Sequence, residues 1–189
     1  MTRSMMLFVG VIAYLAWGQV TALQQTFQKT LSYPGGLMQA KVGKVAIFEE
    51  VKPLKLNNRE KECLARNVYY EAGTEKTLGK IAVAQVTLNR VQTGYWGHHI
   101  CDVVYAPDQF SWTKDEDRVN AQPKGELWKE SLIAVSTVID NGVRIRQMKK
   151  ALFYHADYVH PDWRDNNKMI GQIGTHIFYW GGKDSWLEL

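Results

Sequence analysis

The sequence predicts a mainly helical domain with a small β element, and three observations carry that expectation. Apolar residues recur at helical spacing through three segments, at 59–72, 75–91 and 126–140. Two short runs near the end, ALFYH and THIFYW, are rich in aromatic residues and are separated by a polar stretch around HPDWRDNNK, as strands of a small sheet or hairpin would be. The chain has 189 residues, 46% of them hydrophobic, which is enough to bury one substantial core and sets a single main domain as the default.

The opening MTRSMMLFVGVIAYLAWGQVTA places Arg3 ahead of an apolar stretch at 5–17 and then Val20, Thr21 and Ala22, the order of a signal peptide over 1–22. The stretch is short for a membrane span of about 20 residues. A cleaved signal and an uncleaved anchor associated with a membrane through 5–17 both fit, with a buried first helix as the structural alternative. Residues 23–58 hold Pro34-Gly35-Gly36, a brief alternation at 44–48 and then KPLKLNN, and read as a linker or peripheral arm. The main domain is expected at 59–189.

Its first helix is expected at 59–72. Leu64, Val68 and Ala72 form one stripe with Ala65 and Tyr69 beside it, Asn58 is the expected cap, and Gly73 ends the run. Glu71 then lies in the last turn, off the Leu64 stripe. There the helix dipole disfavours a carboxylate and suits an acid that keeps its proton. A second helix at 75–91 is apolar through Leu78, Ile81, Ala82, Ala84 and Leu88. Gln85 and Asn89 interrupt it, as buried amides satisfying backbone groups or, for Gln85, as an aid in positioning Glu71. A turn at 93–96 and a short DVVY segment capped by Asp102 lead into a long loop at 106–125 containing QFSW. The third long helix, 126–140, is expected to turn Leu127, Leu132, Val135, Val138 and Ile139 inward and to stop at Asn141-Gly142.

The net charge of +4 and isoelectric point near 9.0 suit a polyanionic partner: nucleic acid, an anionic membrane, or the phosphate- and carboxylate-rich bacterial wall. Arg144, Arg146, Lys149 and Lys150 could engage phosphates, but the charges are distributed and the export signal points to another compartment, so no nucleic acid is expected. Cys63 and Cys101 fit either a disulfide or two buried thiols. His98, His99, His155, His160 and His176, with Asp157 or Asp162, have irregular spacing and no HExxH motif, so neither a metal nor a cofactor is expected. The sequence leaves the oligomeric state open.

The ordered set ECLARNVYYEAGTE, LGKIAVAQVTLNRV, DVVYAPDQFSW, LFYHADYVHPDW and IGTHIFYW, spanning about 60–179, resembles the catalytic domain of SleB/CwlJ-type cell-wall hydrolases. The resemblance implies a lysozyme-like lytic transglycosylase fold and an enzyme that cleaves peptidoglycan strands between N-acetylmuramic acid and N-acetylglucosamine, leaving a 1,6-anhydromuramic acid product. Related domains occur in bacteriophages, so an endolysin is one setting for such a chain and bacterial wall degradation another; either requires export to the periplasm or beyond, or carriage on a virion. The family's helix-ending catalytic glutamate corresponds to Glu71 and its second glutamate to Glu75. Gly73-Thr74 replaces the usual arginine-glycine pair between them.

A transglycosylase can use the sugar's own C6 hydroxyl as nucleophile, whereas inverting hydrolysis needs an acid and a base about 6.5–9.5 Å apart. The lack of an obvious second catalytic carboxylate is therefore compatible with the resemblance. Glu75 reads either as a solvated acid or as a catalytic or substrate-orienting group. Tyr70 adjoins the acid, and Gln109, Phe110, Ser111 and Trp112 are candidates for one wall of a glycan groove. Tyr154, His155, Tyr158 and Trp163 are candidates for the opposing wall, since amides and hydroxyls bind sugar substituents while aromatics cover pyranose faces. A hydrolytic muramidase, a nonenzymatic peptidoglycan-binding protein and a zinc-dependent N-acetylmuramoyl-L-alanine amidase are the alternatives.

Overall fold

The computed structural model describes residues 47–181. The proposed signal or anchor at 1–22 and most of the proposed linker lie outside these residues. In chain order the elements are β1 (Phe48–Glu50), α1 (Asn58–Ala72), α2 (Thr77–Thr93), α3 (Ile100–Tyr105), α4 (Glu116–Asn120), α5 (Glu126–Ile139), β2 (Val143–Ile145), β3 (Ala151–Ala156), β4 (Lys168–Ile173) and β5 (His176–Trp180). Single 3-10 turns occupy Ser111–Lys114, Arg146–Met148 and Asp162–Asn166.

Three helices, α1, α2 and α5, pack around the core, with α3 against α1. Helix α1 starts one residue earlier than expected: Asn57, not Asn58, caps it, its side chain accepting from the Glu60 amide at 2.9 Å. Helix α2 is buried along nearly its whole length, from Gly79 to Arg90, which explains its lack of a polar face. It ends at Gly94, whose φ of 70° and whose N–H, donating a hydrogen bond to the Val91 carbonyl, close the last turn. On α5 the inward expectation holds for Val135, Val138 and Ile139 and fails for Leu127 and Leu132, which are exposed. The inward face runs instead through Ser131, Ala134, Val135 and Val138, so the stripe is rotated toward smaller residues that let α5 approach α1 and α2.

Asp102 is the third residue of α3 rather than its cap. His99 occupies the cap position, and its amide donates to the Asp102 carboxylate at 3.2 Å. Cys63 on α1 and Cys101 on α3 form a disulfide, with Cα atoms 5.3 Å apart.

Two small antiparallel sheets complete the unit. β1 pairs with β2 in the register Phe48↔Ile145, Glu49↔Arg144 and Glu50↔Val143, and Phe48 and Leu56 pack against the core. Part of the segment read as a linker thus contributes a strand and apolar side chains. At Gly142, with φ of 67°, a Cβ would collide with the Val51 carbonyl, so glycine permits both the turn after α5 and its close approach to the β1 segment. The second sheet has the order β3-β5-β4, with β3 and β5 in the expected places. β4 was not expected, because KMIGQI falls where the polar stretch obscured any alternation.

Buried amides on α2 join helices to sheets. The Gln85 amide accepts from the Ile145 amide at 2.7 Å and donates to the Ile145 carbonyl at 3.1 Å. Asn89 donates to the carbonyls of Met148 and Ala151 at 2.8 and 2.9 Å. Each supplies the partner that a buried backbone group at a sheet margin lacks.

Candidate active site

Glu71 stands in the last turn of α1, where the chain leaves the helix stripe that packs into the core. Its Oε2 accepts a 3.0 Å hydrogen bond from the Tyr154 hydroxyl on β3. Burial pushes the Glu71 carboxyl above its ordinary value, and the Tyr154 hydrogen bond and the positive fields of Arg90 and Arg118 pull back without reversing the shift. Burial likewise pushes the Tyr154 phenol well up, with the Glu71 charge adding to the effect, so this hydroxyl stays protonated and remains a donor. The result is a carboxyl group biased toward its acid form, with one oxygen held and the other not engaged by Tyr154.

Arg90, at the end of α2, is the site residue that sequence reading missed. Its guanidinium is buried, donates from Nε to the Leu152 carbonyl at 2.8 Å, and lies over the rings of Trp96, Phe110 and Phe153 at 5.0, 5.1 and 5.9 Å. Burial lowers its proton affinity, and the negative field of the Glu71 carboxylate opposes that shift. Its signal in the sequence was a basic residue closing an otherwise apolar helix, which also reads as an ordinary helix-end cation.

Several expected glycan contacts have other work. Trp112 is 1% exposed; its indole N–H donates to Asn67 Oδ1 at 3.0 Å and its ring stacks on Tyr70 at 4.6 Å. Phe110 is 3% exposed and lies beneath Arg90. Both are core residues rather than a groove wall, because the loop folds back into a 3-10 turn that plugs the space beside α1. Ser111 is exposed, and Gln109 is half-buried, donating to the Pro107 carbonyl at 3.2 Å and lying 3.4 Å from an Arg90 N–H. Tyr70 donates its hydroxyl to the Arg118 carbonyl at 2.8 Å. Gln85, considered as an aid to Glu71, has its amide committed to Ile145.

The late aromatic residues divide between the two sides of a strand. Tyr154 packs with His176 and Phe178 on the side facing Glu71. His155, next in the strand, points the other way, as strand alternation requires. It stacks on Tyr179, pairs with the Tyr179 hydroxyl at 2.9 Å and meets Trp163 edge-on. His155 is buried and Trp163 belongs to its cluster, so Tyr154, His155 and Trp163 do not form one wall. Tyr158 is 79% exposed in the turn beyond β3.

Glu75 is engaged by the β4–β5 turn rather than free in solvent. Its Oε1 accepts from the Thr175 amide at 3.0 Å and from the Thr175 hydroxyl. Burial pushes its carboxyl up, but these hydrogen bonds, with His176 and Lys80, outweigh that and hold it below its ordinary value. The histidines offered to a zinc site are separately placed. His155 is bonded to Ala156 and Tyr179, His160 meets Arg164, and His176 lies beside Glu75; among the described residues no three potential metal ligands converge. Among these residues, too, no helix is long and apolar enough to cross a membrane.

Comparison with known proteins agrees with this fold. Residues 74–179, more than half of the chain, match the cell wall hydrolase family, and the chain belongs to that family. The matched span contains Glu75, Arg90, Tyr154 and His176 and begins just after Glu71. The chain is similar to the spore cortex-lytic enzyme of Bacillus subtilis strain 168, with 28% identity over 127 residues, 67% of this chain and 39% of the relative. It is 30% identical to the spore cortex-lytic enzyme of Bacillus cereus over 118 residues, 62% of this chain and 42% of that one. It thus spans about two fifths of the length of the curated relatives it matches.

Two solved structures share the fold. The catalytic domain of the Bacillus cereus SleB protein superposes with a TM-score of 0.54 at 27% identity, covering 67% of this chain and 94% of that one. The catalytic domain of the germination-specific lytic transglycosylase SleB from Bacillus anthracis gives 0.53 at 28% identity, covering 68% and 99%. The mainly helical, lysozyme-like architecture with a small β element is therefore the one this chain adopts.

Proposed function

We propose that the chain is an exported lytic transglycosylase that cleaves peptidoglycan between N-acetylmuramic acid and N-acetylglucosamine, with Glu71 as its acid. The observation that carries this reading is the Glu71 carboxyl, whose proton affinity is raised by burial at a helix end while the Tyr154 hydroxyl fixes one of its oxygens. Family membership and the similarity to a lytic transglycosylase catalytic domain support it.

In the proposed reaction protonated Glu71 gives its proton to the glycosidic oxygen as the bond from C1 of the muramoyl residue breaks. The resulting carboxylate is stabilised by the Tyr154 hydrogen bond and by the fields of Arg90 and Arg118. It then takes the proton of the C6 hydroxyl as that oxygen bonds to C1, which closes the 1,6-anhydro ring and restores the acid. One carboxyl group serves both steps, so the engagement of Glu75 with Thr175 costs the reaction no base. Tyr70, Gln109, Ser111 and Tyr158 retain exposed surface for sugar contacts.

The segment at 1–22 would direct export, with 5–17 as its apolar stretch, and the Cys63–Cys101 bond suits the oxidising compartment that export reaches. The same chemistry serves a bacterium degrading its own wall and a bacteriophage endolysin.

Mass spectrometry of products from purified peptidoglycan tests the reaction. Muramoyl ends in the 1,6-anhydro form are expected; exclusively reducing ends would replace this reading with a hydrolytic muramidase, and released peptides would replace it with an amidase. Glu71→Gln should lower turnover by at least about 100-fold, the lower scale of general acid catalysis, while binding to intact glycan survives. Normal turnover by the folded variant would remove Glu71 from the role.

A further inference from the structure

The proposed chemistry leaves one acid unused, and its surroundings are more constrained than those of a surface carboxylate. The Glu75 side chain is 9% exposed. Beyond its two bonds to Thr175, Glu75 Oε1 lies 3.6 Å from Nδ1 of His176, a buried nitrogen without a hydrogen-bond partner among the described residues. Thr175 sits in the β4–β5 turn beside Gly174, whose φ is 60°. A Cβ at Gly174 would collide with Glu75 Oε2, so the glycine is what admits the carboxylate into the turn. At its backbone, the Glu75 carbonyl accepts from the buried Lys80 ammonium, which pairs with Glu130 on α5 at 2.9 Å. Glu75 is therefore fixed on the helix side and grips the hairpin with its side chain.

The grip reaches the acid in two further contacts. His176, the first residue of β5, meets the Tyr154 ring edge-on with centroids 5.1 Å apart. Tyr154 in turn donates to Glu71. Along β3, Asn89 and Arg90 hold the carbonyls of Ala151 and Leu152 at one end, while at the other Ala156 pairs with His176, next to the Glu75–Thr175 contact. Tyr154 lies between these anchor points.

We propose that Glu75 is a positioning residue whose carboxylate clamps the β4–β5 turn onto the α1–α2 turn and thereby holds the Tyr154 hydroxyl on Glu71. The proposal rests on the reading of Glu71 as the acid. The groups facing the clamp are Thr175 and His176 from the hairpin and Lys80 from α2; His176 also feels Asp157 and His155.

The test uses the full chain with substitutions that leave the charge of Glu75 in place. Thr175→Val removes the hydroxyl donor, Gly174→Ala displaces the carboxylate from the turn, and Thr175→Ser keeps the donor. Turnover of peptidoglycan is measured against pH, and the Glu71 carboxyl is titrated by NMR in carboxyl-labelled protein. For Thr175→Val and Gly174→Ala, kcat should fall about tenfold with KM changed less than about twofold, the pattern of a misplaced catalytic group.

The Tyr154 bond lowers the proton affinity of Glu71, so loosening it should move the Glu71 titration, and the alkaline limb of the rate profile, to higher pH. Thr175→Ser should restore the parent behaviour. A fall in kcat with the Glu71 titration unchanged, or a Thr175→Ser protein as impaired as Thr175→Val, overturns the proposal. If Gly174→Ala does not fold, Thr175→Val decides alone. The titration is read without turnover, so an active Glu71→Gln protein would overturn the proposed function while the clamp is still judged by the Glu71 titration.

Discussion

The last turn of α1 and the turn that follows it carry the same residue type four positions apart and treat it in opposite ways. At Glu71 burial dominates, one phenolic donor is present, and the carboxyl is pushed toward its acid form. At Glu75 a hydroxyl, an amide and nearby cations prevail over burial and hold the group ionised. Two carboxyls whose environments push them apart take different roles: one can give and regain a proton, and the other is held in its charged form at neutral pH and serves as a tie.

Releasing α1 from its anchor would disturb this contrast most broadly. The Cys63–Cys101 bond closes a loop with a sequence separation of 38, for which the chain-entropy account gives about 4 kcal/mol. A Cys63→Ser/Cys101→Ser protein should show a loss of that order in urea unfolding. Because the bond does not touch the β4–β5 turn, the opposite biases of Glu71 and Glu75 should survive in the folded fraction, as carboxyl NMR would show.

The contrast predicts opposite stability changes from one chemical substitution. At pH 7, Glu75→Gln should cost about 1–3 kcal/mol, since it removes a charged acceptor that two donors address. Glu71→Gln should instead gain about 0.5 kcal/mol or more by relieving a buried charge. Urea midpoints for the two variants check the signs, and equal losses would erase the distinction.

Tyr154→Phe removes the donor on Glu71 and little else. Turnover should fall about tenfold, the equivalent of one hydrogen bond to a charged group. The alkaline limb of the rate profile should move to higher pH, because Glu71 loses a contact that favours its ionised form.

The smallest effect is on the pH dependence of stability. Burial depresses the His176 proton affinity below its ordinary 6.5, against the pull of Glu75 and Asp157, so its contribution is lost as pH falls below that value. The Glu75 contribution is present above 4.5 and lost as pH falls through its depressed folded value. Glu71 has the opposite sign: its contribution is complete below 4.5 and lost as pH rises through its raised folded value. Between pH 7 and 4.5 the His176 loss and the Glu71 gain oppose one another, and below 4.5 unfolding midpoints should decline as the Glu75 contribution is lost, less steeply in Glu75→Gln.

Legibility from the sequence followed the range of the forces involved. The helices at α1, α2 and α5 and the strands β3 and β5 were readable because each pattern is local. β4 was not, because the glycine and polar residues of KMIGQI show little alternation and the strand exists by pairing with β5. On α5 Val135, Val138 and Ile139 were correctly read as inward but Leu127 and Leu132 were not outward in that reading, since which side of a helix is covered depends on its neighbours. The loop residues Phe110 and Trp112 were noticed for their aromatic rings and misplaced for the same reason: a ring suited to stacking on a sugar is equally suited to a core.

The sequence by itself determined a helix whose last turn carries Glu71, an apolar second helix behind it and a resemblance to cell-wall hydrolases. It set Glu71 as the acid, left Glu75 between a solvated acid and a catalytic or substrate-orienting group, and took Tyr154 for a wall of the glycan groove. That Arg90 lends its field to Glu71, that Tyr154 and His155 face opposite ways, and that Glu75 is spent on Thr175 a hundred residues away were decided only in the tertiary structure. The physical reason is that proton affinity and hydrogen-bond partnership depend on burial and on donors brought in by distant strands, and neither is encoded in the few residues around an acid.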